Sequence, residues 1–131
     1  MKYTKLIDAA GNARKRAYAP YSHMTVGAAL LSSDGTITTG CNIENSSFSL
    51  TICAERTALF KAFSENRRKF TALALITNQP EYVTPCGACR QVIWELAGNI
   101  DIILCAPDRK PRIVKMRSLL PRPFLKKSFI R

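Results

Sequence analysis

The sequence predicts a single α/β domain over residues 1–131, in which helices cover a partly parallel sheet. Three observations support this fold class. The length of 131 residues is typical of one domain. Strand-like and helix-like segments alternate along most of the chain, and this order favours parallel strand pairs. Finally, no repeat, low-complexity segment or linker divides the sequence.

The first half of the chain predicts a helix, a hairpin and a second helix. Apolar residues at helical spacing indicate a helix over 4–17. The strand-like segments 25–32 and 36–43 flank the turn sequence SDG, an arrangement typical of a hairpin. Good helix-forming residues then indicate a helix over 53–66.

The second half predicts two buried strands with a helix between them. The apolar segments 71–77 and 100–106 have the composition of strands that are covered on both faces. Residues 86–98 indicate the helix, and residues 111–116 indicate a short edge strand. A proline-punctuated tail begins at residue 118. This alternation of strands and helices is what predicts a partly parallel sheet.

The chain carries a net charge of +11, and much of the excess lies near its end. From Arg109 onward there are nine basic residues and no acidic residue, and residues 124–131 form a basic C-terminal tail. Such charge is typical of proteins that bind nucleic acid. However, no aromatic-rich binding platform accompanies it. We therefore interpret the charge as a solvated surface and do not expect a nucleic-acid partner.

Composition also bears on location and on the use of the cysteines. No apolar run approaches the ~18 residues of a membrane span, and the first 20 residues contain no apolar signal core. We therefore expect a cytoplasmic protein without a membrane partner. In a reducing compartment, spaced cysteines more often bind metal or act in catalysis than form disulfides. The five cysteines are Cys41, Cys53, Cys86, Cys89 and Cys105.

Three of these cysteines are candidate metal ligands. Cys86 and Cys89 lie three apart at the start of a predicted helix, and Cys53 begins another. Helix N-termini favour thiolate over thiol, and helix starts gather at the carboxyl ends of neighbouring strands. The three sulfurs can therefore converge. Three protein ligands are the pattern of a catalytic zinc, and we interpret Cys41 and Cys105 as small buried apolar residues.

Glu55 is the candidate catalytic residue. It lies two residues after Cys53 in the same first helical turn, so its carboxylate would face the open side of the metal. By itself, a first-turn glutamate is adequately explained by the helix dipole. Beside three converging cysteines, we favour a catalytic role. The pattern C-A-E followed by P-C-x-x-C is that of the zinc deaminases.

The sequence resembles the homotetrameric zinc-dependent cytidine deaminase family, whose members act on free nucleosides. The resemblance covers nearly the whole chain and is carried by YSHMTVGAAL, GCNIEN, TICAERTALFKA and PCGACRQV. It implies a mixed five-stranded sheet flanked by helices and one Zn²⁺ per subunit. It also implies hydrolytic deamination of cytidine and deoxycytidine to uridine and deoxyuridine, with release of ammonia. The active sites would be shared between subunits of a homotetramer.

The resemblance assigns further roles around the metal. It implies that Asn42 and Glu44 hydrogen-bond the 3′-hydroxyl of the sugar, and a carboxamide and a carboxylate suit a hydroxyl better than a phosphate. It implies that Arg56 donates to the sulfurs and withdraws negative charge from them. Gln91 would be a second, weaker donor. The roles of Asn42 and Glu44 favour a free nucleoside as the substrate.

Base recognition is where this sequence departs from the family pattern. Met24 occupies the position of an aromatic residue that stacks on the cytosine, and methionine is softer and orients a ring less strongly. Phe48 replaces the usual tyrosine, so that one hydroxyl is missing. Phe124 matches a C-terminal aromatic residue that covers the base from a neighbouring subunit. Ala54 is the remaining substrate-binding position.

Three alternatives have distinct consequences. A polynucleotide or tRNA deaminase would use the basic charge, and an oligonucleotide would then compete with cytidine. A structural four-cysteine zinc module that binds RNA would need Cys41 as its fourth ligand and would leave Glu55 without a role. Deamination of a cytosine-containing antibiotic nucleoside would use the same chemistry, but Asn42 and Glu44 favour an ordinary sugar.

Overall fold

The computed structural model describes residues 2–129, whose five strands form one sheet. The strands are β1 (Val26–Ser32), β2 (Ile37–Cys41), β3 (Phe70–Thr77), β4 (Asp101–Cys105) and β5 (Arg112–Lys115). Their order in the sheet is β2-β1-β3-β4-β5. β3 and β4 are parallel, and the other neighbouring pairs are antiparallel. The mixed five-stranded sheet and the edge position of β5 are therefore confirmed.

Three 11-residue helices pack on the sheet. They are α1 (Thr4–Arg14), α2 (Ala54–Ser64) and α3 (Gly87–Ala97). A four-residue helix, α4 (Met116–Leu119), and two 3-10 turns at Phe48–Leu50 and Lys126–Ser128 were not predicted. Within the described part of the chain, no helix has the length and apolar character needed to cross a bilayer. Residue 1 and residues 130–131 of the predicted domain and its tail lie outside the described residues.

The two faces of the sheet bury two separate cores. Side chains alternate across a strand, so successive residues of β1 serve different cores. Ala28 and Leu30 pack with residues of α2 and α3, whereas Ala29 packs with Leu6 and Ala10 of α1. α1 therefore covers one face of the sheet, and α2 and α3 cover the other.

α1 ends three residues earlier than its apolar periodicity predicts. After Arg14 the amides of Arg16 and Ala17 donate to the carbonyls three residues before them, at 3.0 and 3.1 Å, which closes a turn. Tyr18 then pairs with Ile43 in an isolated bridge. This pairing needs extended backbone, and the helix prediction for residues 15–17 was therefore wrong.

Gly40 of β2 allows α2 to lie close to the sheet. A Cβ atom at this position would lie 2.6 Å from both the Ala54 carbonyl oxygen and the Ala58 nitrogen. We expect Gly40→Ala to lower the free energy of unfolding by about 1–3 kcal/mol, because the helix backbone must move away from the strand. Denaturant unfolding of the purified variant measures this change.

Gly11→Ala is the matched control for that substitution. Gly11 lies inside α1, and an added Cβ would meet no atom within 4 Å. Alanine is the better helix former, so this variant should be unchanged or up to about 1 kcal/mol more stable. A Gly40→Ala protein as stable as the wild type would contradict the close approach of α2.

Candidate active site

The candidate site lies at one end of the strands, where β1 begins and β3 ends. Val26 and Thr77 pair there, and the next residue of β1, Gly27, pairs with Cys41 at the end of β2. Both Val26 and Thr77 line a cavity of about 220 Å³. The starts of α2 and α3 reach the same cavity, which is lined by Ser22, Met24, Val26, Asn42, Glu44, Thr51, Ile52, Cys53, Ala54, Glu55, Leu75, Thr77, Val83, Thr84 and Cys86.

Three thiols converge at this end of the strands. Cys53 is the N-cap residue of α2, Cys86 is the N-cap residue of α3, and Cys89 lies in the first turn of α3. All three sulfurs lie within 4.8 Å of one another, as the sequence predicted. The N-terminal ends of both helices therefore face the sulfur cluster, and their dipoles favour negative charge there.

The spacing of the sulfurs fits a tetrahedral zinc ion. The Cys53 and Cys86 sulfurs are 3.8 Å apart. Two ligands at a tetrahedral angle, each about 2.3 Å from zinc, would be separated by about 3.8 Å. Thiolates are also the donors that zinc takes in three-ligand and four-ligand sites. The donor set therefore suits the metal in both chemistry and size.

One of the three thiols is already acidic. The hydrogen bond with Cys89, followed by that from Arg56, lowers the pKa of Cys53 to about 5. The hydrogen bond with Cys53, together with burial, raises the pKa of Cys89. These hydrogen bonds favour the thiolate form of Cys53, the form that binds metal.

Cys41 and Cys105 do not belong to the sulfur cluster. Among residues 2–129 the grouped metal-ligand side chains are Cys53, Cys86 and Cys89. Cys105 is buried, and burial raises the pKa of its thiol to about 11. The four-cysteine structural site would need Cys41, so this grouping does not support it.

Glu55 is buried beside the sulfurs. It occupies the first turn of α2, lines the cavity and is only 5% exposed. Burial raises the pKa of its carboxyl to about 7. A carboxyl with this pKa can both accept and return a proton near neutral pH. Ala54, which precedes it, is fully buried and also lines the cavity.

Arg56 is the donor to the sulfurs. Its guanidinium donates to the Cys53 sulfur at 3.4 Å. This contact places a positive charge against the Cys53 sulfur. A donor of this kind reduces the negative charge that the sulfurs place on a bound metal.

Asn42 and Glu44 both line the cavity, and each also holds the neighbouring segment 21–26. The Asn42 carboxamide accepts from the Val26 amide at 2.9 Å and donates to the Met24 carbonyl at 2.8 Å. The Glu44 carboxylate accepts from the Ser22 hydroxyl and from main-chain N–H groups of residues 21 and 22. These side chains therefore position Met24 at the cavity wall.

Several lining residues were not identified from the sequence. Ser22, Val83 and Thr84 carry no pattern of their own, although Ser22 and Thr84 lie within or beside the motifs that carry the resemblance. Nothing in the sequence near Ser22 indicates that its hydroxyl would donate to Glu44, 22 residues later.

Gln91 has a different partner from the predicted one. Its amide donates to the Phe124 carbonyl at 2.9 Å, and the Phe124 amide donates to the Gln91 side-chain oxygen at 3.1 Å. Gln91 therefore holds the tail, and this corrects the expectation that it donates to the sulfurs. The Phe124 residue is 60% exposed and lies beside Trp94 and Gly98, away from the cavity of its own chain.

The ligands and the carboxyl of the site define a class of protein. Three protein ligands at a cavity, with a titratable carboxyl next to them, are typical of catalytic zinc sites that activate water. The mixed sheet with helix starts at one edge supplies the scaffold for such a centre.

Comparison with known proteins narrows this class to a family. The family model described as the cytidine and deoxycytidylate deaminase zinc-binding region matches residues 1–105. The chain therefore belongs to this deaminase family, and zinc is its cofactor.

Individual relatives extend the match over nearly the whole chain. The chain is 50% identical over 127 residues to the cytidine deaminase of Sporosarcina psychrophila. This match covers 96% of this chain and 93% of the relative. The chain is 46% identical over 127 residues to a probable cytidine deaminase of Dictyostelium discoideum, with 96% and 86% covered. The crystal structure of cytidine deaminase from Burkholderia pseudomallei has a TM-score of 0.90 at 44% identity, and the match covers 95% of this chain and 100% of that one.

Proposed function

We propose that this protein hydrolyses the C4 amino group of cytidine and deoxycytidine, producing uridine or deoxyuridine and ammonia for pyrimidine salvage. The observation that carries this proposal is the buried Glu55 carboxyl beside the sulfur cluster. Cys53, Cys86 and Cys89 would hold the zinc ion. When bound, zinc supplies Lewis-acid chemistry that activates water for attack on a carbon centre.

Glu55 moves the protons of this reaction. Its carboxylate accepts the proton that water loses and delivers it to ring nitrogen N3 of the base. Glu55 then carries a second proton to the departing amino group, which leaves as ammonia. One carboxyl acts as base and then as acid, and its pKa of about 7 suits both steps.

Asn42 and Glu44 favour a free nucleoside. The hydrogen bond from the Ser22 hydroxyl is the largest cause that lowers the pKa of Glu44, so Glu44 is ionised at neutral pH. We assign to Asn42 and Glu44 the hydrogen bonds to the sugar 3′-hydroxyl. A phosphate in place of this hydroxyl would meet the charge of Glu44 and be repelled. Met24 and Ala54, which line the same cavity, would contact the base.

A homotetramer with shared sites is the assembly that we propose. Phe48 is 72% exposed and Phe124 is 60% exposed. Contiguous exposed apolar patches are typical of interfaces between subunits, and the Phe48 ring packs against that of Tyr21, which is also exposed. Phe124 would cover the base in a neighbouring subunit, and an isolated monomer would then be nearly inactive. Light scattering and activity measured on the same chromatographic fractions test this assembly.

The cytoplasm is the compartment that we propose for this enzyme. All five of its cysteines are free thiols. Thiol ligands of this kind persist in a reducing compartment, whereas an oxidising one favours disulfides.

An absorbance assay tests the proposed reaction. Purified zinc-loaded protein should change the spectrum of cytidine and of deoxycytidine but act only weakly on cytidine 3′-monophosphate, because its phosphate replaces the hydroxyl that we assign to Asn42 and Glu44. An oligonucleotide at physiological salt should not compete with cytidine. Turnover of cytidine 3′-monophosphate at the rate of cytidine would contradict the role of Glu44, and no turnover of either nucleoside would contradict the proposed function.

Arg56→Ala is expected to lower kcat by roughly 10–100-fold while zinc stays bound, because the variant loses the positive charge beside the Cys53 sulfur. Lys61→Ala on the same helix is the control, since the Lys61 ammonium donates to the Thr39 carbonyl and Lys61 does not line the cavity. Steady-state kinetics and zinc content measure both variants. A kcat equal to that of the wild type would remove Arg56 from the site.

A further inference from the structure

Arg90 joins the loop before the metal centre to the end of α4. Its guanidinium donates three hydrogen bonds, to the Pro85 carbonyl at 2.7 Å, the Thr84 hydroxyl at 2.7 Å and the Leu119 carbonyl at 2.9 Å. All three acceptors are uncharged. Arg90 therefore serves neither as an ion-pair partner nor as a donor to the sulfurs in the contacts described, and its role must come from what it holds in place.

The Pro85 carbonyl is directly coupled to a metal ligand. A peptide unit is planar, so the carbonyl oxygen of Pro85 and the nitrogen and Cα of Cys86 move as one rigid group. The bond from Arg90 to this oxygen thus fixes the position from which the Cys86 side chain leaves the main chain. Cys86 is also the N-cap residue of α3, and its side chain lies at the cavity.

Arg90 also holds the cavity wall through Thr84, and it is bonded to α4 through Leu119. Thr84 lines the cavity, so its hydroxyl bond to Arg90 holds one wall residue. Leu119 is the last residue of α4, which follows β5 at the sheet edge. A planar guanidinium can meet acceptors in three fixed directions, whereas the ammonium of lysine is a point donor on a flexible stem.

We propose that Arg90 is a positioning residue for the metal centre, where it sets the orientation of Cys86 and of the Thr84 wall through its bonds to the loop and to α4. The inference rests on the proposal that Cys53, Cys86 and Cys89 hold the zinc. It assigns to Arg90 a role separate from that of Arg56, which contacts a sulfur itself.

Metal binding, rather than deamination, is the measurement that tests this role. Arg90→Met removes all three hydrogen bonds but keeps an unbranched side chain. Arg90→Lys keeps the positive charge but lacks the planar guanidinium. We expect Arg90→Met to bind zinc about 10–100-fold more weakly in chelator competition. We also expect the thiolate-to-cobalt absorption of its Co²⁺-substituted form to shift, because the Cys86 sulfur is less well held. Arg90→Lys should lie between Arg90→Met and the wild type.

Arg68→Met is the matched control. Arg68 also donates to main-chain carbonyls, those of Phe63 and Arg67, but it is exposed and away from the cavity. This control should keep the zinc affinity and the cobalt spectrum of the wild type. An Arg90→Met protein with wild-type zinc affinity and cobalt spectrum would overturn the inference.

Thr84→Val decides the question if Arg90→Met does not fold. It removes one acceptor and keeps the shape of the side chain, so we expect a smaller change in the same two measurements. A wild-type cobalt spectrum and zinc affinity in Thr84→Val would then overturn the inference. Zinc affinity and the cobalt spectrum report on metal binding and not on deamination. A wild-type protein that bound zinc but did not deaminate cytidine would contradict the proposed function, and the Arg90 measurements could still be interpreted.

Discussion

Glu55→Gln is expected to bind zinc and fold normally but to deaminate cytidine roughly four orders of magnitude more slowly. Glutamine keeps the size of the side chain in its buried position. It cannot accept and return a proton, and general acid–base catalysis by one group contributes about 10²–10⁴-fold. Glu55 would act in two proton transfers, so the upper end of this range applies. The loss corresponds to about 5 kcal/mol of transition-state stabilisation.

Glu65→Gln provides the control for this experiment. Glu65 is the exposed C-cap residue at the other end of α2, so the same chemical change is made away from the cavity. Its kcat should equal that of the wild type. Single-turnover kinetics and zinc content should be measured for both variants. Normal cytidine turnover by zinc-loaded Glu55→Gln would show that the proposed proton transfers are wrong.

Cys53→Ser is expected to abolish stoichiometric zinc binding and, with it, all measurable deamination. Zinc coordination by the remaining pair would lack the thiolate that Arg56 and Cys89 stabilise in this structure. The substitution should spare α2, because Cys53 is its N-cap residue and serine is a preferred N-cap residue. Elemental analysis of the dialysed protein measures zinc per chain, and circular dichroism checks the fold.

Cys41→Ser separates the two explanations of the zinc centre. Cys41 ends β2 and lies outside the sulfur cluster, so this variant should retain one zinc per chain and its activity. Loss of zinc from Cys41→Ser, with retention by Cys53→Ser, would instead favour a different set of ligands and would contradict the active site described above.

Local patterns were sufficient to predict the main elements and the metal ligands. The spacing of Cys86 and Cys89, and the first-turn position of Glu55 after Cys53, depend on helical geometry that acts over a few residues. The alternation of strands and helices likewise restricts the sheet to a small number of arrangements. For this reason the sulfur cluster, which joins residues 33 positions apart, could be anticipated.

Contacts made by single side chains across the fold could not be predicted in this way. Nothing near Gln91 in the sequence indicates that its amide would bind the main chain of Phe124, 33 residues later. The hydrogen bonds that the Asn42 side chain accepts from Val26 and donates to Met24 were also not predictable, because they depend on how the strands bring loops together. Ala17 continues the helical spacing of apolar residues, so α1 was predicted to reach residue 17. The next residue, Tyr18, pairs with Ile43 and needs extended backbone, so the helix ends earlier.

The origin of the thiols from two different helices has a thermodynamic consequence. Cys53 and Cys86 come together only when α2 and α3 are packed on the same sheet, so the unfolded chain lacks the arranged site. Zinc is therefore a ligand of the native state, and its binding is linked to the folding equilibrium. Free zinc at a hundred times its dissociation constant would add about 2.7 kcal/mol to native-state stability. Melting temperatures of variants are comparable only when free zinc is buffered to one value.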